Sequence, residues 1–164
     1  MIQKKMCMLG AFAVGKTSLV AQFVRSIFSE KYQTTVGVKI DKKSVKVGSD
    51  DVNLMLWDLH GEDEFQKIRL SYLRGTSGYL LVADGTRAET LDLAIGIQQT
   101  VQQEVGDVPF MLVLNKSDLT AQWALDQSIL DDLAAKRWEI IKSSAKTGEG
   151  VEDAFMSLAQ RMLA

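Results

Sequence analysis

Two glycines and a Lys-Thr pair stand at fixed spacing in Gly10-Ala11-Phe12-Ala13-Val14-Gly15-Lys16-Thr17. The pattern G-x-x-x-x-G-K-[ST] is that of a phosphate-binding loop. Glycines let the backbone curl so that successive N–H groups converge on phosphate oxygens. A helix beginning near Lys16 adds the positive end of its dipole. Lys16 supplies a mobile cation for β- and γ-phosphates, and the Thr17 hydroxyl is a hard oxygen of the kind Mg²⁺ takes. At average residue usage, chance produces the four fixed positions in well under about 1% of chains this long. The alternative is a plain glycine-rich turn. The apolar strand before the loop and the helix after it favour phosphate binding.

Asp58 closes the hydrophobic run Leu54-Met55-Leu56-Trp57-Asp58. Asp is common at strand ends, but downstream of a phosphate loop a second carboxylate reaches the Mg²⁺ site from this place. Gly61 completes a D-x-x-G, and a glycine there lets a backbone N–H approach a γ-phosphate closely. Asn115-Lys116-Ser117-Asp118 follows the apolar run Phe110 to Leu114. The carboxyl end of a parallel strand is where α/β sheets bind ligands. The Asp118 carboxylate can accept hydrogen bonds from the N1–H and exocyclic amine of guanine, and adenine has no such edge. Lys116 can lay its aliphatic stem along the base plane. N-K-x-D is weak evidence alone and gains weight from the strand before it and the phosphate loop upstream. Ser144-Ala145-Lys146 follows the last strand, and Thr147-Gly148-Glu149-Gly150 leads into the last helix. The Ala145 N–H could donate to guanine O6. A plain polar loop accounts for the Ser and Gly but not for the full set.

The elements that must position these residues alternate along the chain. Ile2 to Leu9 reads as a first strand ended by the Gly10 loop. Lys16 to Arg25 carries Leu19, Val20, Phe23 and Val24 at helical spacing. Val38 to Val47 and Val52 to Trp57 form an antiparallel hairpin around the turn residues Gly48-Ser49-Asp50-Asp51. Tyr79 to Ala83 and Phe110 to Leu114 suit buried parallel strands. Thr90 to Val105, Leu125 to Lys136 and Val151 to Met162 read as helices, and Glu139 to Ile141 as a short last strand. The class is α/β, with helices on the faces of a sheet.

Composition sets the outer bounds. The chain has 164 residues, 46% hydrophobic and 24% charged, which supplies one core over residues 1–164 without a metal or disulfide staple. A net charge of −2 argues against bulk electrostatic binding to nucleic acid or anionic lipid. The single cysteine, Cys7, cannot form an internal disulfide and reads as a small buried hydrophobe. A reducing, cytoplasmic compartment is expected. Lys4-Lys5 before Met6 to Ala13 imitates a short signal peptide. Cleavage after Ala13 would destroy the phosphate loop, so that reading is rejected. Ile2 and the Met162-Leu163-Ala164 end offer neither a myristoylation nor a prenylation site, and the expectation is no intrinsic membrane anchor.

Taken together, Gly10 to Thr17, Thr35, Asp58-Leu59-His60-Gly61, Asn115 to Asp118 and Ser144 to Lys146 resemble the Ras-like small GTPases over essentially the whole chain. Thr34-Thr35-Val36-Gly37-Val38 and Ser143 to Val151 look most like the Rab branch. No insertion separates Asp118 from the helix at Leu125, unlike the Rho branch. The resemblance implies a P-loop G domain with a six-stranded, mostly parallel sheet, one antiparallel edge strand and five helices. It implies a molecular switch in signalling that binds GTP or GDP with Mg²⁺. Metal ligands would be Thr17, Thr35 and, through water, Asp58. Nucleotide contacts would come from Gly10, Ala11, Phe12, Ala13, Val14, Gly15, Lys16, Thr17, Ser18, Thr35, Asp58, Gly61, Asn115, Lys116, Asp118, Leu119, Ser144, Ala145 and Lys146. Phe28 falls where the family sets an aromatic edge against guanine, and Tyr32 where one covers the phosphates; ordinary aromatic packing is the alternative for each. Protein effectors and regulators would dock near 30–40 and 59–74. Arg69 to Arg74 reads as a solvated helix face within the second region.

Three departures bear on catalysis, which the resemblance assigns to Lys16, Thr35, Gly61 and position 62. Glu62 replaces the family's usual Gln, Phe12 occupies a position that is small in most members, and His60 stands where most have Ala. His60 is either merely structural or a substitute water-positioning group. The first functional reading is therefore a switch that hydrolyses GTP slowly. The second is a GTP-bound interaction scaffold with negligible hydrolysis. A small P-loop kinase is a third, disfavoured by the absence of an Arg-rich lid segment and by Asn115 to Asp118.

Overall fold

The computed structural model describes residues 2–25, 30–33, 38–59 and 70–164, with 30–33 as backbone only. The strands are β1 (Ile2–Gly10), β2 (Glu30–Gln33), β3 (Val38–Val47), β4 (Asp50–Leu59), β5 (Gly78–Asp84), β6 (Phe110–Asn115) and β7 (Ile140–Lys142). The α-helices are α1 (Lys16–Val24), α2 (Ala88–Val105), α3 (Gln127–Ala135) and α4 (Val151–Leu163).

The strands make one sheet in the order β2-β3-β4-β1-β5-β6-β7. β1 pairs in parallel with β4 and β5, and the parallel run continues through β6 to β7. After β1 the chain builds one side of the sheet, and after β4 it crosses to build the other. The carboxyl end of β1 is thus a topological switch point, where open α/β sheets form a crevice. Gly10, Asp58, Asp84 and Asn115 all lie at strand ends on that edge.

Alternation along the strands divides the core into two layers. Met6, Met8, Leu80, Val82, Met111 and Val113 face α1 and α4. Phe23 and Phe155 stack there with ring centroids 4.2 Å apart. Cys7, Leu9, Tyr79, Leu81, Leu112 and Leu114 face α2 and α3. Cys7 is buried, with Sγ 3.2 Å from Thr76 Oγ1. Burial pushes its thiol pKa up, against opposing effects from Thr76 and Lys5.

Several expectations need correction. The sheet has seven strands, not six, and two antiparallel pairs, β2 with β3 and β3 with β4. β2 occupies the edge that β3 otherwise leaves with unpaired backbone groups. Its Glu-Lys-Tyr-Gln sequence has no apolar run that periodicity could detect. Four α-helices lie among the described residues, against the five expected. In the Arg69–Arg74 segment, Leu70–Leu73 is a 3-10 turn, while residue 69 lies outside the described residues. The β3–β4 turn is confined to Gly48-Ser49, since Val47 pairs with Asp50. α3 starts at Gln127, not Leu125, because the Asp126 carboxylate caps it by accepting from the Ser128 N–H at 2.9 Å. No helix among the described residues is long and apolar enough to cross a membrane.

Candidate nucleotide-binding site

β1 ends at Gly10 and α1 begins at Lys16, so the phosphate loop spans the switch point. Its two glycines are required by close approach. A Cβ at Gly10 would collide with the Val82 carbonyl of β5, and one at Gly15 with the Asn115 amide. Gly15 also has φ +102, in the region that disfavours side chains, and forms the N-cap of α1. Ala13 is left-handed as well, at φ +63. Lys16 is only 6% exposed, and its ammonium donates to the Gly10 carbonyl at 2.7 Å. Thr17 Oγ1 donates to Asp58 Oδ2 at 2.5 Å, and Asp58 is fully buried.

The Thr17 hydroxyl and the Asp58 carboxylate set two hard oxygens side by side, of the kind Mg²⁺ takes directly or through water. No cluster of three or more His, Cys, Asp or Glu assembles among the described residues. A Mg²⁺ held by this pair would therefore draw further oxygens from phosphate and water, as that ion commonly does in nucleotide sites.

Two cavities meet along the loop. One of about 380 Å³ is lined by Phe12, Ala13, Gly15, Lys16, Thr17, Ser18 and Lys116. The other, of about 470 Å³, is lined by Gly15, Ser18, Asn115, Lys116, Asp118, Leu119, Ala145 and Lys146. Gly15, Ser18 and Lys116 line both. The two cavities adjoin around these three residues, and each is of ligand-pocket size.

Asn115 is the bridge between them. It is 2% exposed, and its Nδ2 donates to the Val14 carbonyl at 2.9 Å. Its Oδ1 accepts from Ser143 Oγ at 3.3 Å and from the Ala145 N–H at 3.2 Å. The Asn115 amide is thus engaged within the protein, and the Ala145 N–H, expected to face guanine O6, donates here to Asn115. Gln22 of α1 adds a tie, donating to the Ala145 carbonyl at 3.0 Å. Asp118 accepts from Ser144 Oγ at 2.7 Å, so the hydroxyl steers the carboxylate predicted to read the base.

The expected site residues from Gly10 to Ser18, Asp58, Asn115 to Leu119 and Ser144 to Lys146 come together at this edge. Phe12 stands 64% exposed on the loop. Phe28, Thr35, His60, Gly61 and Glu62 lie outside the described residues. Tyr32 is placed by backbone alone, in β2 opposite Ile40.

Sequence reading does not single out Asp84 or Arg87, yet both contact residues that line these cavities. Asp84 is fully buried and its Oδ2 lies 2.7 Å from Lys116 Nζ. Arg87 Nη2 donates to the Phe12 carbonyl at 2.9 Å. One clue to Asp84 was available: it ends a buried parallel strand, as Asn115 ends β6.

A glycine-built loop at a helix N-terminus, on the switch point of a mostly parallel sheet, defines a P-loop nucleotide-binding protein. The model of the Ras family matches residues 5–164, and the chain belongs to that family. Its members are small GTPases, switches that bind GTP or GDP with Mg²⁺ and usually hydrolyse GTP.

Proposed function

We propose that this chain is a Rab-like GTP-dependent switch that binds GTP and GDP and hydrolyses GTP slowly, as one domain over residues 1–164 in the cytoplasm. The observation that carries the reading is the joining of a phosphate compartment to a base compartment through the Asn115 bridge to Val14 and Ala145. Asp118 reads the guanine edge, Lys116 and Lys146 flank the base, and Lys16 neutralises the β- and γ-phosphates. Thr17, Thr35 and, through water, Asp58 would hold Mg²⁺, which would supply charge neutralisation of the phosphates. Thr35 and Gly61 sense the γ-phosphate, and segments 30–40 and 59–74 present that state to protein partners. The nucleotide released from purified protein should be GDP or GTP, and adenine nucleotides should not compete for the site. Hydrogen exchange over residues 32–38 should be slower with a GTP analogue than with GDP, because only the γ-phosphate state offers Thr35 a contact. Equal exchange in both states would exclude the switch.

A scaffold with negligible hydrolysis is the second reading. The exposed Phe12 favours it, standing on the loop where an activator's arginine would enter. Single-turnover hydrolysis of bound GTP separates the two: slow but measurable turnover supports the switch, and none supports the scaffold.

A further inference from the structure

Two cations contact carbonyls of the phosphate loop from the loops that follow β5 and β6. Arg87 Nη2 donates to the Phe12 carbonyl at 2.9 Å, and Lys116 Nζ donates to the Ala13 carbonyl at 3.5 Å. Both are held by one side chain. Asp84 Oδ2 lies 2.7 Å from Lys116 Nζ and 3.5 Å from Arg87 Nε. Its other oxygen accepts from the Thr86 N–H at 2.8 Å and the Thr86 hydroxyl at 2.7 Å, which fixes the carboxylate's orientation. Asp84 pairs with Asn115 across β5 and β6, so the carboxylate sits between the phosphate loop and the base loop.

Backbone conformation points to the same place. Ala13 and Lys116 have φ of +63 and +68, and Arg137 is the other non-glycine residue with positive φ among those described. Such conformations persist where surrounding contacts over-determine them. The Lys116 ammonium, tied to Asp84, reaches the carbonyl of the other strained residue. Burial raises the Asp84 pKa, but hydrogen bonds from Lys116 and Thr86 outweigh it and leave the pKa lowered. The carboxylate is therefore charged at neutral pH.

We infer that Asp84 is a positioning residue for nucleotide retention, holding Lys116 and Arg87 as two straps across the Phe12–Ala13 segment. It couples the base loop to the phosphate loop without touching the nucleotide. The inference rests on the nucleotide-binding reading above.

Asp84→Asn keeps the shape and an acceptor for Thr86 but removes the charge. Release and uptake of a fluorescent GDP derivative, followed with Mg²⁺ present, read the effect. Release should accelerate about tenfold, as expected for weakening charge-assisted hydrogen bonds. Association should stay within about twofold, because the straps act on the bound complex. Arg87→Ala should accelerate release about threefold, and the double variant should match Asp84→Asn within about twofold, since Asp84 acts through Arg87 as well as Lys116. Release unchanged in Asp84→Asn, uptake and release impaired together, or independent effects of the two changes would overturn the inference. If Asp84→Asn does not fold, Arg87→Ala decides alone, and unchanged release overturns it. A wild type that takes up no GDP derivative overturns the nucleotide reading itself, and this inference with it.

Discussion

Asn115→Asp converts a buried amide into a carboxyl of nearly the same shape, at a position only 2% exposed. The retained acceptor keeps its partners, Ser143 Oγ at 3.3 Å and the Ala145 N–H at 3.2 Å. The donor is lost. The 2.9 Å hydrogen bond from Nδ2 to the Val14 carbonyl becomes an approach of two oxygens. Losing that bond costs about 0.5–1.5 kcal/mol, and a carbonyl left buried without a donor about 1–3 kcal/mol. The sum of about 1.5–4.5 kcal/mol is roughly 10- to 2,000-fold in an equilibrium constant. The penalty falls where the phosphate and base loops meet, so weakened GDP binding should report it. Burial raises the pKa of the introduced carboxyl, and its protonated form regains a donor for Val14. The neutral fraction grows as pH falls, so the defect relative to wild type should shrink between about pH 7.5 and about pH 5.5. Asn115→Ala has no proton to gain, and its defect relative to wild type should not follow pH in this way. The assay is titration with a fluorescent GDP derivative at both pH values, with wild type as reference at each. The bridge is refuted if both variants bind within about threefold of wild type, well below the worked penalty. It is also refuted if the two show the same defect at both pH values.

Asp118→Asn should weaken GTP and GDP by about tenfold or more and favour xanthine nucleotides, whose C2 carbonyl suits an amide donor. Competition binding checks this, and equal loss of both base types would count against guanine reading by Asp118. Glu62→Gln should speed single-turnover hydrolysis at neutral pH: were Glu62 to stand beside the γ-phosphate, as the resemblance implies, two unit charges about 5 Å apart would cost about 3 kcal/mol at an effective dielectric of 20. Phe12→Gly should help mainly when an activating partner is added, whose arginine is worth about 10³–10⁵ in rate. If wild type already turns over as fast as Glu62→Gln and His60→Ala abolishes this, His60 positions the water instead. Asp84 has its pKa lowered from the ordinary 3.8, with burial opposing and the Lys116 and Thr86 hydrogen bonds prevailing. Its stabilisation is thus present above that value and lost as pH falls through the lowered folded pKa. The acid-side fall in Tm should be shallower in Asp84→Asn, and an unchanged slope would show that the carboxylate is not stabilising the fold.

Features whose chemistry is contiguous along the chain could be read from residue order. Gly10 to Thr17, Asn115 to Asp118 and Ser144 to Lys146 are each short enough for residue type and spacing to state their chemistry. Their strands and helices were legible from apolar periodicity, because a buried strand and an amphipathic helix sort apolar residues differently. β2 was not legible, since four polar-rich residues on a sheet edge are placed by the pairing capacity of β3. Asp84 and Arg87 were not legible either. Their partners, Lys116 and Phe12, lie far away in sequence and arrive only because parallel strands align their carboxyl ends at one edge. The role of Asn115 was only half legible: the motif marks a nucleotide site, but the tertiary structure spends the amide on Val14, 101 residues away. A local pattern can specify which groups a loop offers. Which of them face one another is decided by strand order and register, and those depend on the packing of the whole sheet.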